Sequence, residues 1–596
     1  MPDPLLEGLD DTQREAVTLD AAPLAVLAGA GSGKTRVLTR RIGWRASRAR
    51  LEPDHVLALT FTRKAAGELV GRLERLGVRR RVTAGTFHAI ALAQLRRRAA
   101  DHSRPMPAVL ARKARLLAPM LPGRGAEATL AAAEVAGEVE WAKARLVRPD
   151  GYEAAVANAR RDPPRPSAEI ASIYNRYERE KRRRGVVDFD DLIWWCADAL
   201  ETDAEFQAAQ RWRFRHVFVD EFQDVNPAQL RLVRGWLGDR SDLCVVGDAD
   251  QAIYAFAGAD ACYLTDFARH FPGSTVVRLG GNYRSSPQVI AAANAVLADA
   301  GRRRAAPRTR RPDGPFPTIV GYPDDDAEAA GVVRRLRREH GPALPWSSMA
   351  VLYRTNAQSA RFEEALGRDG VPFRVRGATR FLERPEVRAA LEALARTDRA
   401  APARPFGSHL ADLAGEAADA PEERREHVDA LVRLGREYLA ADGGPGSVDG
   451  FQAYLGVALR GSDDADGPRD AVELLTFHRA KGLEFDTVFV TGLERGLVPI
   501  AHAGTAAERA EERRLLYVAL SRAERAIHLT WAHRRTLGLR TVDRKPSPWL
   551  EAVQDALRSL QAPPAAGDPS TSAGDGLARA RDQARTRSRG DQRRSP

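Results

Sequence analysis

The run Ala28-Gly29-Ala30-Gly31-Ser32-Gly33-Lys34-Thr35 constrains this chain most, because it sits between a short apolar run at 24–27 and a helical pattern. Strand, glycine-rich loop, Gly-Lys-Thr and helix in that order form the setting of a P-loop. Small residues let backbone N–H groups close around phosphates. Lys34 then neutralises the β- and γ-phosphate oxygens, and the Thr35 hydroxyl ligates Mg²⁺ at the positive end of the helix dipole. Ala28 stands at the first consensus glycine position and still permits a tight turn. A glycine-rich turn with no ligand is the alternative, and the full strand-loop-helix context weighs against it. A nucleoside triphosphate and Mg²⁺ are the expected cofactors.

A P-loop needs a parallel sheet behind it, and the chain supplies strands for two. Apolar, β-branched runs at 24–27, 56–60, 82–84, 217–219, 243–246 and 276–279 form one set. A second set lies at 318–320, 350–353, 373–375, 472–476, 488–491 and 527–530. Each run is followed by a polar or glycine-containing turn and then helical periodicity, the rhythm of an α/β protein. Between the strands, 99–187 and 389–469 read as mainly helical insertions. The expected units are therefore residues 1–98 with 188–280, the insertion 99–187, residues 281–388 with 470–558, and the shorter insertion 389–469. Loops are expected at 443–446 and 462–466. The stretch 559–596 turns to Ala, Pro, Gly, Ser and Arg and reads as a disordered basic tail. A chain of 596 residues suits this multi-domain division.

Beyond the loop, Val217-Phe218-Val219-Asp220-Glu221 places two carboxylates at the end of a strand. Asp220 can hold the metal shell and Glu221 can polarise an attacking water. The formal charge of +12 favours a polyanion as partner, since Lys and Arg release counterions from phosphates. The cysteines Cys196, Cys244 and Cys262 have no C-x-x-C spacing, so neither a disulfide framework nor a zinc site is expected. No apolar run approaches a membrane span, and the acidic start lacks a secretory pattern. A cytoplasmic protein is expected.

The motifs follow one another in a fixed order. Leu9-Asp10-Asp11-Thr12-Gln13 precedes the P-loop; Leu59-Thr60-Phe61-Thr62-Arg63-Lys64-Ala65-Ala66 and Gly85-Thr86-Phe87-His88 follow it. Then come the acidic motif continuing to Asn226, Val246-Gly247-Asp248-Ala249-Asp250-Gln251-Ala252-Ile253-Tyr254, and Asn282-Tyr283-Arg284-Ser285. The second half carries Val351-Leu352-Tyr353-Arg354-Thr355-Asn356, Thr476-Phe477-His478-Arg479-Ala480-Lys481-Gly482-Leu483-Glu484-Phe485 and Tyr517-Val518-Ala519-Leu520-Ser521-Arg522-Ala523. In this order they resemble the Rep/UvrD family of superfamily 1 helicases, over nearly everything before the tail.

The resemblance implies two RecA-like P-loop motor domains with parallel sheets, each interrupted by a helical insertion, with ATP between them. It implies that Gln13 and Arg36 recognise adenine, Tyr283 stacks on it, Glu484 touches the ribose, and Gln251 senses the γ-phosphate. Arg284 and Arg522 become arginine fingers. Phe61, Tyr254 and Phe256 become stacking faces for bases, a common device in single-strand binding, and Thr86, His88, Arg354, Asn356, His478 and Lys481 become DNA contacts. The implied partners are single-stranded and 3′-tailed duplex DNA, together with repair or replication proteins; the implied motion is 3′ to 5′, by a monomer or dimer.

Some positions depart from the family. Phe256-Ala257 stands where relatives commonly have Trp-Arg, Ser521 replaces a Thr, and the second insertion is short. Trp194-Trp195 reads as helix packing. A nucleotide-switched DNA-binding protein, an RNA substrate and a helicase-nuclease subunit remain alternatives, although no nuclease-like cluster of Asp, Glu and Lys follows Ala523.

Overall fold

The computed structural model describes residues 3–561, apart from 79–81, 111–112, 123–124, 299–307, 377–384, most of 418–445, 459–469 and 538–539. The first sheet contains β1 (Leu24–Ala28), β2 (Val56–Thr60), β3 (Thr83–Thr86), β4 (His216–Val219), β5 (Leu243–Gly247) and β6 (Thr275–Leu279). Its six strands run in the order β3-β2-β4-β5-β1-β6, and all pair in parallel. Alternate residues enter different cores: Ala25, Leu57, Val217 and Val245 face one side, while Val26, Ala58, Phe218 and Val246 face the other. Burial on both faces explains the unbroken apolar runs.

The second sheet contains β7 (Thr318–Asp324), β8 (Met349–Tyr353), β9 (Phe373–Val375), β10 (Val472–Thr476), β11 (Phe485–Val490), β12 (Ala523–Leu537) and β13 (Arg540–Asp543). Its order is β7-β12-β11-β8-β10-β9, parallel throughout. The strand β13 pairs antiparallel with β12; it has no counterpart among the expected runs. The mixed α/β fold with two parallel sheets agrees with the sequence reading.

Helices fill both intervening stretches. The helices Gly125–Ala144 and Ser167–Arg184 contribute to a core that includes Leu116, Trp141, Tyr152 and Tyr177. A short parallel pair, Ala108–Val109 with Val186–Val187, closes this stretch. The helix Phe87–Asp101 runs through the boundary expected at 98, and Pro385–Ala400 runs through the one expected at 388. In the later stretch, Pro385–Ala400, Phe406–Ala417 and Val448–Ala458 surround a core that also takes in Ala89 of the first half. The tail expected from 559 begins inside the helix Trp549–Gln561; its remainder, the loop at 462–466 and most of the loop at 443–446 lie outside the described residues. Among the described residues no helix is long and apolar enough to cross a membrane.

A buried ionic cluster fixes the first helical stretch to the helix Phe189–Thr202. Lys143 Nζ lies 2.9 Å from Asp188 Oδ2, 2.5 Å from Asp191 Oδ1 and 3.0 Å from Glu178 Oε1. Lys181 reaches the same three carboxylates, and Tyr177 Oη donates to Asp188 at 2.9 Å. The acidic oxygens crowd within 4.8 Å of one another, a spacing that suits a cation; here two lysine ammonium groups fill that role. Asp188 also caps the helix Phe189–Thr202 through a capping box with Asp191, so one pair of aspartates starts a helix and anchors two others. Of the pair Trp194-Trp195 expected to pack, Trp194 does, its Nε1 donating to the Lys143 carbonyl at 2.8 Å, whereas Trp195 is 41% exposed.

Candidate functional site

Ligands of open parallel sheets gather at the carboxyl ends of the strands, and the phosphate-loop motifs converge there. β1 runs into the loop 28–35, whose helix Lys34–Ser47 is entered through left-handed Gly33 at φ +83°. Gly31 is also left-handed, at φ +70°, and a Cβ there would meet Asn282 Nδ2 at 2.6 Å and Arg284 Cβ at 2.7 Å. Glycine is required twice over, by the backbone and by the segment lying across it. That segment is pinned by Asn282 Nδ2 donating to the Ala30 carbonyl at 2.7 Å and by Tyr283 N donating to the Gly31 carbonyl at 2.8 Å.

Asp220 and Glu221 follow β4 directly. Thr35 Oγ1 donates to Asp220 Oδ2 at 3.2 Å. Lys34 Nζ lies 3.4 Å from the Ala28 carbonyl and 4.0 Å from Asp248 Oδ2. Burial and the adjacent Glu221 push the Asp220 carboxyl up to about 7. Burial acts on Glu221 in the same direction, but Lys34, Lys481 and the amide of Gln223 outweigh it and hold that carboxyl down at about 2. Glu221 has φ +53°, a left-handed conformation that a non-glycine residue adopts at a cost. Gln223 fixes it: Nε2 donates to Glu221 Oε2 at 2.5 Å, while Oε1 accepts from Asp248 N at 2.9 Å.

At the other end of the loop, Gln13 is fully buried and its Nε2 donates to the Ser32 carbonyl at 2.9 Å. The Gln13 backbone N–H is capped by Asp10, and Tyr283 Oη donates to the same carboxylate. Gln13 and Tyr283 are thus brought together beside the loop. Arg36 reaches the Glu7 carbonyl at 3.3 Å on the more exposed side.

The second half faces this pocket with cations. Arg522 is 1% exposed; its Nη2 donates to Gln251 Oε1 at 3.2 Å, and Gln251 Nε2 donates to Asp248 Oδ2 at 2.7 Å. Burial and the neighbouring Arg284 push the Arg522 guanidinium down to about 9. Arg284 Nε donates to Glu484 Oε2 at 2.8 Å, so the carboxylate expected on a ribose holds the guanidinium of Arg284 here. Lys481, expected as a DNA contact, sits in the cleft: Nζ is 2.8 and 2.6 Å from the two Asp224 oxygens and 2.6 Å from the Gln251 carbonyl. Arg354, expected in the same track, pairs with Glu512 at 2.7 Å. In both places the charge lies where little water reaches it, beside a carboxylate that compensates it.

The aromatic residues form two groups. Phe61 and Phe87 have ring centroids 5.6 Å apart, and His88 meets Phe189 edge-on at 6.4 Å. Thr86 caps the helix Phe87–Asp101. In the second group Tyr254 lies 6.1 Å from Phe256, Phe256 meets His478 edge-on at 5.7 Å, and Lys481 Nζ lies 5.1 Å over Tyr254. Phe256 is 52% exposed, and Asn356 opens an exposed turn. Residues missed by the sequence reading are Asp224, Asp248, Asn282 and Glu512. Asp224, Asp248 and Asn282 stood inside quoted motifs, so their proximity to named residues was the available signal.

The model of the UvrD/REP helicase N-terminal domain matches residues 9–272, and that of the UvrD-like helicase C-terminal domain matches 277–406 and 397–534. The chain belongs to the UvrD/REP helicase family. It is 42% identical to the ATP-dependent DNA helicase UvrD2 of Mycobacterium tuberculosis, covering 94% of this chain and 84% of that protein. UvrD1 of the same species is 32% identical, over 89% and 83% of the two chains. DNA helicase II of Escherichia coli strain K12 is also 32% identical, over 92% and 87%. As in a UvrD/REP helicase with two RecA-like halves, the nucleotide motifs of this chain meet between its two sheets.

Proposed function

We propose that this chain is an ATP-dependent DNA helicase and single-strand translocase, moving 3′ to 5′ and opening 3′-tailed duplexes in repair, replication or recombination. The observation that carries this reading is the contact of Arg522 with Gln251, which joins a finger arginine of one half to the phosphate pocket of the other. The loop fits a nucleoside triphosphate because its glycines carry no Cβ to keep phosphate oxygens from backbone N–H groups at a helix N-terminus. The pair Thr35 Oγ1 and Asp220 Oδ2, 3.2 Å apart, fits Mg²⁺ because both are hard oxygen donors. Bound there, the ion would draw charge from the β- and γ-phosphate oxygens.

Lys34 would hold those oxygens from the loop side. Glu221, kept ionised by Lys34 and Lys481, would orient the attacking water and take its proton. Arg522 and Arg284 would meet the negative charge that grows on the transferring phosphoryl group, a contribution of about 10³–10⁵ in rate for a well-placed finger. Loss of the γ-phosphate removes the charge that draws both arginines inward, so the halves separate and close again once per turnover. Tyr254, Phe256 and Phe61 would stack on bases, passing the strand along as the cleft works.

The test is ATP hydrolysis with and without single-stranded DNA at low salt, followed by strand displacement on 3′-tailed, 5′-tailed and blunt duplexes. Strong stimulation and displacement of the 3′-tailed substrate are expected. Hydrolysis indifferent to DNA would overturn the reading. Binding should also weaken with salt, with a log-log slope of roughly −0.7 per neutralised phosphate.

A further inference from the structure

The loop 248–257 carries Gln251 at one end and the pair Tyr254 and Phe256 at the other, and a single helix of the second half grips it along its length. That helix, Ala506–Leu520, presents Glu511 and Arg514 on one face, followed at helical spacing by Val518, whose carbonyl accepts from Arg522 Nε at 2.9 Å. Arg522 reaches Gln251. Arg514 Nε donates to the Ala252 carbonyl at 2.7 Å. Ala255 N donates to Glu511 Oε1 at 2.9 Å. The grip on Ala252 and Ala255 takes backbone groups, so it is independent of the loop's side chains and of the replacement of Trp-Arg by Phe256-Ala257.

We propose that Glu511 and Arg514 are positioning residues that make the aromatic end of this loop follow the finger Arg522, coupling the nucleotide pocket to the DNA track. The inference rests on the functional reading above. A helix is stiff along its axis, so displacement of its Arg522 end carries Glu511 and Arg514 with it. The two hydrogen bonds then oblige Ala252 and Ala255, and the rings beside them, to move as well. Coupling runs both ways: DNA on Tyr254 and Phe256 favours the helix position that places Arg522 at Gln251.

Hydrolysis is measured with and without oligothymidylate for the unmodified chain, Glu511→Ala, Glu511→Gln, Arg514→Ala and Arg514→Lys, with KM and kcat for ATP separated. Both alanine variants should keep basal kcat and KM near those of the unmodified chain and lose stimulation by about tenfold, within the range of ordinary site-to-site coupling. Glu511→Gln retains an oxygen acceptor and Arg514→Lys a cationic donor, so each should restore most of the stimulation. Should Glu511→Ala prove unfolded by thermal melting, Arg514→Ala makes the same test from the neighbouring contact. Alanine variants with normal stimulation, or with basal and stimulated rates reduced by the same factor, would overturn the coupling while leaving the helicase reading intact. An unmodified chain without stimulation removes the functional reading, and the coupling with it.

Discussion

Lys481 Nζ lies 2.6 Å from Asp224 Oδ2, an ion pair between the two halves whose side chains are 7% and 3% exposed. A buried pair of this kind contributes little when intact but costs about 3–5 kcal/mol when one partner is removed, because the other charge is left stranded. Lys481→Met should therefore weaken closure of the cleft more than it weakens either half. The expected result is a raised KM for ATP and a lowered kcat. Lys481→Met with Asp224→Asn should recover part of the loss. Steady-state kinetics of the two variants checks this, and an additive double variant would count against a direct pair.

Lys34→Ala should abolish turnover. Glu221→Gln should keep nucleotide affinity and lose about 10²–10⁴ in kcat, the usual contribution of a positioned base. Fluorescent nucleotide titration beside single-turnover hydrolysis separates the two effects. Normal turnover in Glu221→Gln would remove Glu221 from its role.

His478 should make stability depend on pH. Burial, together with Arg354 and Lys481, lowers its imidazole from the usual 6.5 to about 4. A depressed value means that the folded chain favours the neutral ring, so this contribution is complete above pH 6.5 and is lost as pH falls through about 4. His478→Gln removes the titration. Melting temperatures between pH 7 and pH 4.5 should fall less steeply in the variant than in the unmodified chain; parallel curves would refute the assignment.

Lys143→Met should destabilise the first half by about 3–5 kcal/mol, because Asp188, Asp191 and Glu178 would be left to share Lys181. Chemical denaturation measures it. Adding Asp191→Asn should return part of the stability, since it removes one of the crowded charges.

The strands and phosphate loop were legible because their signals are local. Apolar runs of three to five residues between turns marked the strands of both sheets, save β13, and a glycine-rich loop before Lys34 needs no distant partner to be recognised. Gln13 and Tyr283 are expected on one adenine, but that Asp10 links them is visible only in the structure. Glu511 and Arg514 carried no signal, since charged residues on a helix ordinarily face water.

The amino-acid order by itself determined two parallel sheets, the glycine-rich turn before Lys34 and the kinds of charge that surround it, since periodicity and turn chemistry act over a few residues. Only the tertiary structure decided partners: Lys481 meets Asp224 across 257 positions of chain, and Arg522 meets Gln251 across 271. A side chain's charge is written in its identity, but the group that neutralises it depends on how the two sheets pack.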